Sequence, residues 1–192
     1  MEYRFLHRKD AMLIAAIDIL DKGGIQGLTS KEITKAEGLT DAAFYKHYSG
    51  KREIVAAILE RFSAFDEKIC NTILQLNMTE REGILFYAST YAENYQWYPQ
   101  IATLLFSFDV YRYDPELKKY MTQTMDNRRK FLEDFITSCR EKNESPGAIP
   151  PAVLANLVLG CIWNSIYFWK LKDETYDLKE EILAGIEALL AP

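Results

Sequence analysis

The residues whose types and spacing are best suited to binding a ligand lie together near the N-terminus. Residues 28–52 read LTSKEITKAEGLTDAAFYKHYSGKR and concentrate hydroxyl groups, aromatic rings and lysines. The segment predicts two short helices joined by a tight turn at Gly38-Leu39-Thr40, which is typical of a helix-turn-helix. The second helix of such a motif enters the major groove of DNA. The segment therefore predicts a nucleic-acid-binding module.

The two short helices divide their residues between a mutual contact and an outward face. Apolar side chains are expected to hold the helices at their crossing angle, and these are Ile33, Ala36, Leu39 and Phe44. The residues left to face outward are Thr40, Asp41, Ala42, Ala43, Tyr45, Lys46 and His47.

At the level of single residues, the N-terminal part of the chain resembles the tetracycline-repressor (TetR) family of transcriptional regulators. The resemblance covers roughly Arg8 to Leu59 and includes the turn, the aromatic-rich second helix at residues 44–48 and Lys51. It implies a homodimer with a DNA-binding head and a helical domain that binds a small molecule. The departures from the family's usual pattern are Thr34 for a small alanine, Ala42 for glycine, and Gly50-Lys51-Arg52 for Ser-Lys-Glu.

The resemblance also implies which residues contact DNA. Phosphates would be held through hydroxyls, charge and helix N-termini by Thr29 or Ser30, Tyr45 and Lys51. Base edges would lie near Thr40, Ala42, Ala43, Lys46 and His47, with Asp41 beside them. Structural roles compete at three positions: Thr40 as a helix N-cap, Asp41 as a complement to the helix dipole, and Tyr48 as part of the core.

The remaining pattern predicts an all-α protein of about nine helices, because periodic apolar residues run almost end to end without hairpin signals. The fourth helix follows Ser49-Gly50 and reaches roughly Leu76. Further helices are expected from Thr79, from Pro99 to about Tyr111, from Asp114-Pro115 to Lys142, from Pro150-Pro151 and from about Asp177. A loop is predicted at Asn143–Ala148. We expect a DNA-binding domain at residues 1–50 and a ligand-binding and dimerisation domain at residues 51–192.

Composition and motifs argue against other classes of protein. Residues 1–52 carry nine Lys and Arg against seven Asp and Glu, whereas residues 53–192 carry fourteen against twenty-one, so the head is the more basic part. Three scattered cysteines predict neither a disulfide framework nor a metal site, which fits the cytoplasm. The only histidines are His7 and His47, and the common catalytic and cofactor motifs do not occur. We expect no enzyme activity and no cofactor or metal.

The stretch from Ala148 to Trp169 holds no charged residue and is long enough to span a membrane. Two prolines at its start and the polar Asn156, Asn164 and Ser165 favour a helix buried on all sides of a soluble protein instead. The resemblance implies that the last two helices pair with those of a second copy. The uncharged face from Val153 also predicts an obligate dimer, which would bind a roughly palindromic operator.

An effector site is expected in the C-terminal domain, between the predicted helices that start near Thr79, Asp114 and Pro150. Its aromatic lining predicts a small apolar or aromatic ligand. Arg128 is either a charged anchor for that ligand or a solvated surface charge. We expect a repressor released when the ligand turns the fourth helix, although promotion of binding stays open. The alternative is a helical small-molecule-binding protein or enzyme without DNA binding. The predicted ligand residues are Tyr91, Tyr95, Arg128, Trp163, Asn164 and Tyr167.

Overall fold

The computed structural model describes residues 8–143 and 147–191, and the regular structure in these ranges is entirely helical. This confirms the predicted all-α fold. His7 and the middle of the loop predicted at Asn143–Ala148 lie outside the described residues. The elements are α1 Arg8–Gly27, α2 Ser30–Ala36, α3 Asp41–Tyr45, α4 Lys51–Gln75, α5 Glu80–Trp97, α6 Ala102–Phe106, α7 Phe108–Arg112, α8 Pro115–Asn143, α9 Pro151–Leu171 and α10 Leu178–Leu189, with a 3-10 turn at Pro99–Ile101.

Side-chain caps fix several helix ends where the sequence predicted them. Thr79 and Glu82 form a reciprocal capping box at the start of α5, and Asp177 accepts the amide of Glu180 at the start of α10. Gly24 interrupts α1 with a φ of 60°, a conformation that glycine adopts without steric cost. Local chemistry therefore sets these boundaries.

The predicted helix from Pro99 to Tyr111 is wrong, because the chain forms three short pieces there. The 3-10 turn Pro99–Ile101 comes first, followed by α6 and α7. Ser107 separates α6 from α7, and its ψ of 67° lies outside the helical range. These breaks bring the number of α-helices in the described ranges to ten rather than about nine.

The chain forms two compact units. Unit 1 contains the described residues up to Ser63 together with Thr103–Thr122, and unit 2 contains Ala64–Ala102 and the described residues from Gln123 onward. The chain passes between the units at three points, and all three fall inside helices: after Ser63 in α4, after Ala102 in α6 and after Thr122 in α8. The functional boundary expected between residues 50 and 51 stays a prediction.

Unit 2 is built on contacts of α5 with α9 and α10, and of α9 with α10. Gly83 on α5 lies directly under the ring of Phe135, where an added Cβ would come within 2.3 Å of a ring carbon. The three cysteines are free thiols, and burial raises their pKa, that of Cys70 to about 12. The close approach at Gly83 shows how tightly α8 is held against α5.

Helix α9 has one charged residue, Lys170 in its last turn, and it is buried on one face only. Its length and composition would allow it to cross a membrane, which is weak evidence because core helices pass the same test. Burial on all sides was expected, and that prediction is wrong for the single chain. Five large apolar residues of α9 are exposed: Val153, Leu157, Tyr167, Phe168 and Leu171.

Candidate nucleic-acid interface and buried polar cluster

The helix-turn-helix of unit 1 is defined by two capped short helices. The side chain of Thr29 accepts the amide of Glu32 at 3.1 Å, and that of Thr40 accepts the amide of Ala43 at 3.3 Å. The structural role expected for Thr40 is therefore confirmed. Ile33 and Phe44 are buried and Leu39 is half-buried, as the predicted contact between the helices requires. Ala36 is exposed, so its predicted place in this contact is wrong.

Thr34 links the two short helices by a hydrogen bond that the sequence analysis missed. Its buried hydroxyl donates to a carboxylate oxygen of Asp41 at 3.0 Å, with the carbonyl of Lys31 at 3.2 Å. The departure from alanine thus adds a side-chain bond between α2 and the first residue of α3. Asp41, at the N-terminus of α3, also suits the positive end of that helix.

The predicted DNA-contacting residues form a surface of hydroxyl, methyl and basic groups around α3. Tyr45 is 58% exposed, and its hydroxyl lies 3.4 Å from the hydroxyl of half-buried Ser30. Ala42 and Lys46 are exposed, whereas Ala43 and His47 are half-buried. Tyr48 is buried, as expected of a core residue, and its hydroxyl donates to the carbonyl of Lys9.

Two cations occupy the first turn of α4, and each is held by a partner within unit 1. The ammonium of Lys51 donates to the carbonyl oxygen of Ile25 at 2.7 Å. The guanidinium of Arg52 donates to Asp114 at 2.6 Å. The sequence pointed to Lys51 alone, because Asp114 is sixty-two positions from Arg52 in the chain.

A cavity of about 750 Å³ opens beside these two cations. Its lining comes entirely from unit 1 and includes the turn before α4 and the start of α8. Ile25, Lys51, Arg52, Asp114 and Glu116 are among its lining residues.

Unit 2 encloses an ion pair between α4 and α8. Arg128 is 3% exposed, and its guanidinium donates to the two carboxylate oxygens of Asp66 at 2.7 and 3.0 Å. The hydroxyl of Tyr91 also donates to Asp66, and the ring of Tyr91 lies 4.8 Å from the guanidinium. The interpretation of Arg128 as a solvated surface charge is therefore wrong. The charge of Arg128 is buried and is paired with the carboxylate of Asp66.

Tyrosines complete this polar cluster. Burial raises the pKa of Tyr95 to about 12, although the neighbouring guanidinium of Arg128 favours the phenolate. Burial also raises the pKa of Tyr87, whose hydroxyl has no hydrogen-bond partner among the described residues. An unpaired buried hydroxyl is costly, so Tyr87 marks a position that a polar group could satisfy.

The other predicted ligand residues lie on α9 rather than in this cluster. Trp163 is half-buried, and Asn164 and Tyr167 are exposed. Asn164 lines a cavity of about 580 Å³ between α9 and α10, together with charged residues such as Lys172 and Glu180. The six predicted residues thus fall into two groups, and their role in ligand binding stays a prediction.

A largely apolar cavity of about 560 Å³ opens elsewhere in unit 2, between the end of α4 and the second half of α8. A row of rings leads inward from it, with centroids 6.0 Å apart for Phe135 and Phe131, 6.2 Å for Phe131 and Tyr87, and 4.7 Å for Tyr87 and Tyr91. The apolar lining is Ile73, Leu74, Met78, Phe131, Phe135 and Cys139, with Asn77, Lys142 and Asn143 among the polar residues.

Comparison with known proteins bears on both units. Residues 13–58 match the family model described as bacterial regulatory proteins, tetR family. The fatty acid metabolism regulator protein of Bacillus subtilis (strain 168) is 18% identical over 165 residues, which is 85% of this chain and 84% of that protein.

Two solved structures have the same fold over nearly their whole length. The fatty acid degradation regulator FadR of Bacillus halodurans superposes with a TM-score of 0.83 at 17% identity, covering 97% of this chain and 96% of that one. FadR of Bacillus subtilis in complex with stearoyl-CoA gives 0.81 at 17% identity, covering 96% and 98%. At these identities the likeness is one of fold.

Proposed function

We propose that the chain is a ligand-responsive repressor of the TetR type that binds a palindromic operator as a homodimer. The observation that carries this proposal is the family match over residues 13–58, which includes the capped helices α2 and α3. The protein would act in the cytoplasm, where its DNA lies. An enzyme or a helical binding protein without DNA affinity is the less favoured reading.

In this proposal, α3 enters the major groove and the surrounding hydroxyl and basic groups hold the backbone. Thr29 or Ser30, Tyr45 and Lys51 would bind phosphates, and the bond from Lys51 to the Ile25 carbonyl would be exchanged for one to a phosphate oxygen. The groups near base edges would be Thr40, Asp41, Ala42, Ala43, Lys46 and His47.

A fluorescence-anisotropy titration with duplexes that flank the chain's own gene tests this function. We expect one duplex to bind at least about 10³-fold more tightly than a shuffled duplex of equal length, and the affinity to fall with rising salt. No binding to either duplex would leave the helical binding protein as the better description, and equal affinity for both would contradict recognition of a specific operator in them.

The second copy would pack on α9 and α10. The exposed apolar residues of α9 recur at helical spacing, and the exposed Ala184 and Ala188 of α10 are small enough to let another helix approach closely. Covering this face would be favourable, because full burial of each large apolar side chain contributes about 1.5–3 kcal/mol of free energy.

The effector would bind in unit 2 and carry a long apolar chain. The support is the apolar cavity between α4 and α8, the row of rings that leads from it to the unpaired Tyr87 hydroxyl, and the stearoyl-CoA held by the FadR of similar fold. The predicted Tyr91, Tyr95 and Arg128 would then form the inner end of the site. Trp163, Asn164 and Tyr167, the other predicted ligand residues, lie on α9 and would contact the ligand from that helix.

A further inference from the structure

Unit 1 contains more than a helix-turn-helix, because residues 103–122 belong to it as well. Two side-chain bonds tie this segment to the head. The hydroxyl of Thr103 donates to Asp21 of α1, and Arg52 of α4 donates to Asp114 at the start of α8. The segment therefore holds groups on both sides of the helix-turn-helix.

Asp114 uses its two carboxylate oxygens for different tasks. Oδ1 accepts the backbone amides of Glu116 and Leu117 at 3.1 and 3.3 Å and so caps α8. Oδ2 accepts the guanidinium of Arg52 at 2.6 Å. Desolvation of Asp114 favours its neutral acid, but the bonds from Arg52 and the two amides outweigh it and lower the pKa of the carboxyl. The carboxylate is thus charged at neutral pH.

Arg52 is placed where a DNA backbone would pass in the proposed complex. It follows Lys51 in the first turn of α4, and a helix N-terminus attracts phosphate. Its side chain is 66% exposed, and the cavity of about 750 Å³ leaves space for it to leave Asp114. A guanidinium also matches two phosphate oxygens in a bidentate geometry that an ammonium cannot offer.

We propose that Arg52 is a further phosphate-binding residue of the head and that Asp114 competes with DNA for it. This inference rests on the proposed function. In the free protein the guanidinium is held by Asp114, and on DNA it turns to a phosphate. Asp114 therefore lowers the affinity of the head for every duplex, whatever its sequence. A movement of residues 103–122 that strengthened or broke the pair would tune DNA affinity without touching a base-contacting residue.

The test compares three single variants and one double variant of the full chain by anisotropy over a range of salt concentrations. Asp114→Asn removes the charge but keeps an oxygen that can cap α8, since Asn and Asp are about equal as N-caps. Glu116→Gln is the matched control, because it removes one exposed negative charge from the same turn and the same cavity. Arg52→Ala removes the cation, and the double variant combines Arg52→Ala with Asp114→Asn. Thermal unfolding verifies that each variant is folded.

We expect Asp114→Asn to bind specific and shuffled duplexes roughly two- to fivefold more tightly than Glu116→Gln, the range that an exposed ion pair supplies. This gain should disappear in the Arg52→Ala background. Arg52→Ala alone should reduce the slope of log affinity against log salt by about one unit.

The inference is overturned if Asp114→Asn behaves like Glu116→Gln, if its gain persists without Arg52, or if Arg52→Ala leaves the salt slope unchanged. Failure of the proposed function gives a different result, since the parent chain itself would then bind no duplex in any salt concentration. A parent that binds its operator with these variants unchanged removes only the role of Arg52 and Asp114.

Discussion

Arg128 and Asp66 illustrate how a charge is kept inside a helical unit. Both side chains are almost fully buried, and Tyr91 adds a third bond to the carboxylate. A buried pair gains Coulomb energy in a low dielectric but loses hydration, so its net contribution to folding is small. Removal of one member is far more damaging, because the other charge then stays buried without a partner.

We therefore expect Asp66→Ala to lower the free energy of unfolding by about 3–5 kcal/mol in urea. Asp126→Ala is the matched control, since Asp126 pairs with Arg129 on the exposed surface of α8 at 3.6 Å, and it should cost less than about 1 kcal/mol. If the two variants are equally stable, loss of Asp66 does not leave a costly unpaired charge at Arg128, and this account of the buried pair is wrong.

Lys46 and Lys51 are expected to respond differently to DNA sequence. Lys51→Ala should weaken binding to operator and shuffled duplexes alike and reduce the salt slope by about one unit. Lys46→Ala should cost about 1–3 kcal/mol mainly on the operator, because a base contact is lost. Anisotropy titrations at several salt concentrations measure both quantities.

Lys51 also holds the carbonyl of Ile25, so its replacement requires a control for folding. If Lys51→Ala unfolds at the same temperature as the parent, weaker DNA binding is due to the lost phosphate contact. A lower unfolding temperature would indicate that the end of α1 has been destabilised. Operator affinity equal to that of the parent in both lysine variants would show that the assigned surface does not contact DNA.

At the scale of helices, the sequence predicted what depends on local chemistry. The capping box at Thr79, the caps at Thr40 and Asp177, and the proline start of α9 need only neighbouring residues. The break at Ser107 carries no proline or glycine signal, so periodicity alone predicted one continuous helix there. Tertiary packing decides such positions, and a single sequence does not display it.

The same limit applies to the candidate sites. The aromatic and basic residues within positions 28–52 are close together in the chain, so the sequence could predict that they form one surface. Asp66 and Arg128 are separated by sixty-two positions, as are Arg52 and Asp114, and neither pair has a local signature. Helical spacing placed Trp163 and Tyr91 in one site, but spacing does not define which helices meet.

The exposed face of α9 leads to a prediction about assembly. Leu157→Glu should shift the protein from dimer to monomer in sedimentation velocity at micromolar concentration, because a buried carboxylate would oppose the second copy. Trp97→Glu is the control, since Trp97 is 88% exposed at the end of α5 and outside this face. A parent that sediments as a stable monomer would contradict the dimer, and a dimeric Leu157→Glu would remove α9 from its interface.

At the scale of the whole molecule, the proposed regulation requires the effector to change the affinity for DNA. Helices α4 and α8 each contribute one part to unit 1 and another to unit 2, and we expect this coupling to pass through α4, which begins beside the helix-turn-helix. An effector that prefers one dimer geometry by about 1–3 kcal/mol would change operator affinity by five- to 150-fold.

Stearoyl-CoA is the probe for this prediction. We expect it to quench tryptophan fluorescence and to release the operator, and Lys142→Glu to weaken both effects because its charge would repel the phosphates of the ligand. Lys68→Glu, an exposed residue of α4 outside the cavity, should respond like the parent. Binding that leaves DNA affinity unchanged would contradict the coupling, and equal effects in both variants would place the ligand elsewhere.

The three native thiols have a practical consequence for observing these movements. Thiolates rather than thiols react with maleimides, and the raised pKa of Cys70, Cys139 and Cys161 keeps all three protonated at neutral pH. A cysteine introduced at an exposed position of unit 1 such as Glu60 would therefore be the preferred site of labelling without any native cysteine being replaced. Fluorescent dyes attached in this way would measure the separation of the two heads in an otherwise unaltered protein.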